Sequence, residues 1–169
     1  SGFYLFPQIF ASPKSYTPSV VSVSVKALYN AGEVAFLIEW DDPTNSMPWD
    51  PKSIEVADGE LFADSVAVQF PSGQRKPFER PYFGMGGPKP VTIWQWKGAE
   101  SIESGQRERI IDAKGVKNIN ARPADGLLTA NGIYDNGKWR VVMKGPLKGS
   151  DKDPVFEEGG FTSVAFALW

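Results

Sequence analysis

Short apolar runs of alternating pattern, each stopped by Gly, Pro, Asn or Asp, constrain this chain more than any other feature. Residues 19–29 read SVVSVSVKALY, with Val21, Val23 and Val25 alternating with Ser22 and Ser24. That is the period-two pattern of a half-buried strand. Asn30-Ala31-Gly32 supplies a turn and residues 34–40 (VAFLIEW) a second strand, so the pair reads as a hairpin. Asp41-Asp42-Pro43-Thr44-Asn45 is turn chemistry, because Asp and Asn bond their own backbone and Pro blocks extension. Residues 64–70 (DSVAVQF) alternate again and stop at Pro71-Ser72-Gly73, and residues 91–97 (VTIWQWK) form a clear strand after a Pro/Gly-rich stretch. Residues 126–134 hold another predicted strand. Asn136-Gly137 is the strongest hairpin signal, leading into residues 139–143 (WRVVM), and residues 161–169 close the chain as a buried strand. The one candidate helix spans residues 99–115, with Ile102, Ile110 and Ile111 as weak anchors. Many short strands with so little helix indicate a single all-β domain over residues 1–169, a sandwich or a barrel.

Two missing residue types narrow the chemistry. The sequence has no cysteine, which excludes a disulfide framework, a thiolate site and covalent haem attachment. It has no histidine either, so the commonest metal ligand and general base are absent. A bound metal must use oxygen, methionine sulfur or lysine nitrogen. With 18 basic against 20 acidic residues and no basic run, nothing suggests a nucleic-acid surface. No apolar window approaches the roughly 18 residues of a membrane span, so no membrane insertion by this segment is expected. The start without methionine and the stop on Trp169 within an apolar run read as a segment of a longer chain.

Met85 heads the candidates. Flanked by Gly84, Gly86 and Gly87, its thioether has little neighbouring bulk, so a flat ligand could approach the backbone. Methionine is an axial haem ligand that raises the reduction potential; the alternative is a loop methionine filling a gap. Trp94 and Trp96 lie two apart and share one face of a strand, where they could wall a haem pocket, stack on sugar rings or belong to the core. Asp41, Asp42, Asp50, Glu55, Asp58 and Glu60 match no calcium-loop spacing and read as turn-forming and solvating groups. Lys97, Lys114, Lys117, Lys144 and Lys148 are not separable by sequence, although a lysine kept neutral by burial can ligate a metal. Without a P-loop or a nucleophile–base set, catalysis by this chain alone is not expected.

Several blocks occur together in order: DSVAVQFP at residues 64–71, FGMG at 83–86, PVTIWQWK at 90–97, GKWRVVM at 137–143 and VAFALW at 164–169. The series resembles the haem-binding domain of the ethylbenzene dehydrogenase γ-subunit family, over roughly residues 20–169. The resemblance implies an immunoglobulin-like antiparallel β-sandwich with long loops and at most one or two short helices. It also implies one b-type haem with methionine and lysine axial ligands, the methionine matching Met85; Gly84, Gly86 and Trp94, from the reading of the residues above, are the candidates to lie beside the cofactor. Electrons would pass between molybdenum/iron–sulfur oxidoreductase subunits and a c-type cytochrome, in the periplasm or otherwise outside the cytoplasm. Family members continue past the terminal tryptophan with a lysine-containing segment absent here, and within the chain Lys144 is the candidate for the second axial position. Alternation places Lys144 on the face opposite Trp139, Val141 and Met143. A rival reading is a non-catalytic carbohydrate-binding module with Trp94, Trp96 or Trp49 as its stacking platform.

Overall fold

The computed structural model describes residues 1–7, 9, 14, 16–46, 63–73, 80–81, 84–99 and 105–169. These residues form two five-stranded antiparallel sheets and no helix. The first sheet has the order β1-β2-β3-β9-β8, from Gly2–Tyr4, Ser22–Tyr29, Glu33–Asp41, Lys138–Pro146 and Thr129–Asp135. The second has the order β10-β4-β5-β6-β7, from Ala165–Leu168, Ser65–Pro71, Val91–Lys97, Glu108–Ala113 and Ile119–Pro123. The arrangement is a β-sandwich, as the alternating runs require.

Its interior follows from that alternation. Val34, Phe36, Ile38 and Trp40 of β3 point inward with Trp139, Val141 and Met143 of β9. They meet Val66, Val68 and Phe70 of β4 and Trp94 and Trp96 of β5. Phe70 and Trp94 meet edge-on with centroids 5.0 Å apart, and Trp96 meets Trp139 at 5.1 Å. Glycines in the facing strands make room for these rings. A β-carbon on Gly145 would lie 2.5 Å from the Trp94 ring, and one on Gly132 would collide with Trp96. Trp139 donates its indole N–H to Asp64 Oδ2 at 2.9 Å, and the Ser46 amide donates to the same oxygen at 2.8 Å. Burial pushes the Asp64 carboxyl upward despite these donors.

The β8–β9 hairpin turns at Asn136-Gly137 as predicted, with φ values of 49° and 72°. Asp42 forms the expected Asx turn, its Oδ1 accepting from the Thr44 amide at 3.0 Å. The helix expected over residues 99–115 is corrected: residues 100–104 lie outside the described residues, and residues 108–113 form β6. Ile110 and Ile111 are buried on opposite faces of that strand. With both faces covered, period two is lost from the hydropathy, and the pair of isoleucines mimics a helical anchor. β-Branched residues nonetheless favour the strand.

Candidate functional site

A sheet in a sandwich needs one apolar face. The second sheet has two. Beyond the interior, Ala67, Val91, Ile93, Ile111 and Ala113 form a separate buried cluster on its outer face. Pairing sets this out in rows: Val91 lies beside Ala113, Ile93 beside Ile111, and Ala67 beside Gln95. Small side chains continue the surface outward, since Ala167 pairs with Ala67 and Ala121 with Ile111. The result is a broad floor of low relief.

Met85 packs against this cluster. Its loop is tied down from two sides. The Gly115 amide in the β6–β7 turn donates to the Met85 carbonyl at 2.7 Å, and the Lys89 amide donates to the Gly86 carbonyl at 3.1 Å. Met85 has φ 54°, the left-handed region where a side chain costs about 1–2 kcal/mol. Gly86 follows at φ 80°, and a β-carbon there would run into the Lys89 carbonyl and, at 2.8 Å, into Val91. The glycine at 86 therefore allows the chain to press against β5 while Met85 lies over the floor.

The other expected residues are placed differently. Gly84 and Gly86 lie with Met85 in one turn. Trp94 does not join them: it is 2% exposed, inside the sandwich, on the face of β5 opposite Ile93. The structure therefore separates Trp94 from Met85 by the thickness of the sheet. Lys144 is farther still, on the outer face of the first sheet, where its Nζ lies 2.8 Å from Glu33 Oε1. The alternation read from the sequence had already turned it away from Trp139. Trp96, at 0% exposure, is buried like Trp94, so neither offers a sugar platform, and Trp49 lies outside the described residues. Sequence reasoning missed the outer-face floor, although its signal was present. DSVAVQF and VTIWQWK keep Ala67, Val91 and Ile93 at positions where a solvated face would carry charges.

Lys97, at the other end of β5, shares this outer face by alternation, as does Arg109. Burial, aided by the nearby Arg109 charge, holds the Lys97 ammonium below its usual range. Elsewhere, a cleft of about 500 Å³ opens at one end of the sandwich between Tyr29, Phe36, Phe156 and Phe161. Met85 does not line it. No group of three or more His, Cys, Asp or Glu residues able to hold a metal occurs among the described residues.

The second sheet is thus a sandwich sheet with a second apolar face under a thioether. A family model described as ethylbenzene dehydrogenase matches residues 5–126, and the chain belongs to the ethylbenzene dehydrogenase γ-subunit family. This is a family of haem-binding electron-transfer subunits of molybdoenzyme complexes. No curated protein matches the chain. Among the described residues, no helix is long and apolar enough to cross a membrane.

Proposed function

We propose that this chain carries one haem b on the outer face of its second sheet, with Met85 as an axial ligand, and serves as a one-electron relay. The observation that supports the reading most strongly is the buried apolar floor of Ala67, Val91, Ile93, Ile111 and Ala113 with Met85 packed on it. The donor chemistry fits: a thioether is a neutral, soft ligand suited to haem iron, and the chain lacks the histidine and cysteine that would compete. A glycine at 85 would adopt φ 54° without penalty, and a side chain retained there at some backbone cost is consistent with a use for the thioether.

The haem, when bound, would supply the reversible one-electron couple. The protein would supply the rest. Ala67, Ile93 and Ile111 would exclude water from one side and keep the local dielectric low, which together with methionine ligation favours a high potential. Gly86 and the Gly115 amide would hold the Met85 backbone in place, so that the sulfur approaches from a fixed position. Partners would be molybdenum/iron–sulfur subunits on the donor side and a c-type cytochrome on the other, in the periplasm. Lys144, paired with Glu33 on the far sheet, is not part of this site.

Reconstitution of the chain with haem tests the reading. The dithionite-reduced protein should give a low-spin b-type spectrum, and Met85→Ala should convert it to high-spin and weaken haem retention at least tenfold. An unchanged spectrum in Met85→Ala, or no haem uptake by the wild type, would overturn it.

A further inference from the structure

The outer face of the second sheet is not uniform along its length. At the Met85 end it is apolar: Val91, Ala113 and Ile111. Toward the opposite end it carries two cations: Arg109, level with Gln95 and about 13 Å from Val91 at the rise of an extended strand, and Lys97, about 20 Å from it. Arg109 pairs in register with Gln95, and its Nε donates to Gln95 Oε1 at 2.6 Å. That bond fixes the guanidinium plane and leaves its terminal nitrogens without a partner among the described residues. Lys97 forms no ion pair among the described residues either, and it sits beside the Arg109 charge in a partly buried setting. The acids of β6 do not help. Glu108 and Asp112 alternate to the inner side, where Asp112 accepts from Arg122 Nε at 3.0 Å. Among the described residues no carboxylate on this face meets these two neighbouring, partly buried cations, a setting that an anionic ligand would stabilise.

We propose that Lys97 and Arg109 form an anion-binding end to this face and receive the propionate carboxylates of the porphyrin held under Met85. The proposal rests on the haem reading and deepens it. A tetrapyrrole with its acid groups on one edge has the polarity of the face itself, apolar at the thioether end and cationic at the other. Arg109 would take a carboxylate through its forked terminal nitrogens, and Lys97 would act as a point charge. Gln95 is the positioning residue, because its amide oxygen orients Arg109.

The test compares haem b with haem dimethyl ester, in which both carboxylates are blocked, by absorption titration of the full chain. Wild type should bind the ester about tenfold or more weakly than haem. The Lys97→Gln/Arg109→Gln double variant should bind haem as weakly as wild type binds the ester and should no longer distinguish the two. Arg109→Lys should keep part of the discrimination. The thermal midpoint of the double variant should not fall, since the change removes a repulsion. Equal affinity of wild type for both ligands, or undiminished discrimination by the double variant, would overturn the propionate assignment while leaving the haem reading intact. Uptake of neither ligand would overturn both.

Discussion

In the first sheet, β3 and β9 bury every second side chain, and charged residues facing outward on β2, β3 and β9 are paired: Lys26 with Glu39, Arg140 with Glu39, Lys138 with Asp41 and Lys144 with Glu33. In the second sheet, all seven residues of β4 are buried and all but the last of β5. The first sheet is finished once its inner face is covered, because water satisfies the other. The second sheet needs cover on both sides, and among the described residues its outer cations lack the acidic neighbours that their counterparts in the first sheet possess. Burial on the face away from the core thus separates a sheet that ends at water from the one to which we assign the proposed haem.

Charge placed on each outer face should expose this difference most strongly. Ile93→Asp puts an unpaired carboxylate where the side chain is 6% exposed and should cost about 3 kcal/mol in urea unfolding. Val142→Asp, on the first sheet at 45% exposure, should stay within about 0.5 kcal/mol. Similar costs for the two would erase the contrast. A smaller effect should come with acid. Burial opposes ionisation of Asp153, but hydrogen bonds from Arg122 and Ser150 outweigh it and hold the carboxyl below its usual 3.8. A depressed folded value stabilises above 3.8 and loses that contribution as pH falls through the folded value. Asp153→Asn should therefore lower stability at neutral pH and flatten the loss between pH 4 and the acid limit, as read from thermal midpoints across pH. The smallest effect belongs to Lys144→Ala. An exposed pair with Glu33 contributes about 0–1 kcal/mol, screened by salt, and the variant should keep the haem spectrum of the wild type. A lost haem band there would return Lys144 to the site.

Much of this was legible in the sequence. Ser22 to Val25 and Trp139 to Met143 state their alternation openly because one face of each strand meets water. Asn136-Gly137 names its own turn. The strands of the second sheet were harder to orient for the reason that makes them interesting. With Ala67 and Ile93 apolar on the outer side and Val68 and Trp94 on the inner, period two disappears and neither face is marked. That ambiguity made Trp94 look like a neighbour of Met85, since glycine spacing and strand periodicity do not say which side of a sheet a later loop will cover. It also disguised β6 as a helix. The exposed edge strand β7, with sequence INARP, gave too little hydropathy contrast to be seen.

The bond from the Gly115 amide to the Met85 carbonyl joins positions thirty residues apart in sequence. The thioether therefore hangs from a hinge pin set in the β6–β7 turn, and the torsions of its own side chain are its main freedom to adjust. Variation in that turn, at Val116 or Asn118, would reach the sulfur mechanically without touching it. Natural tuning of this site would then be written in a turn as well as in the residues of the floor.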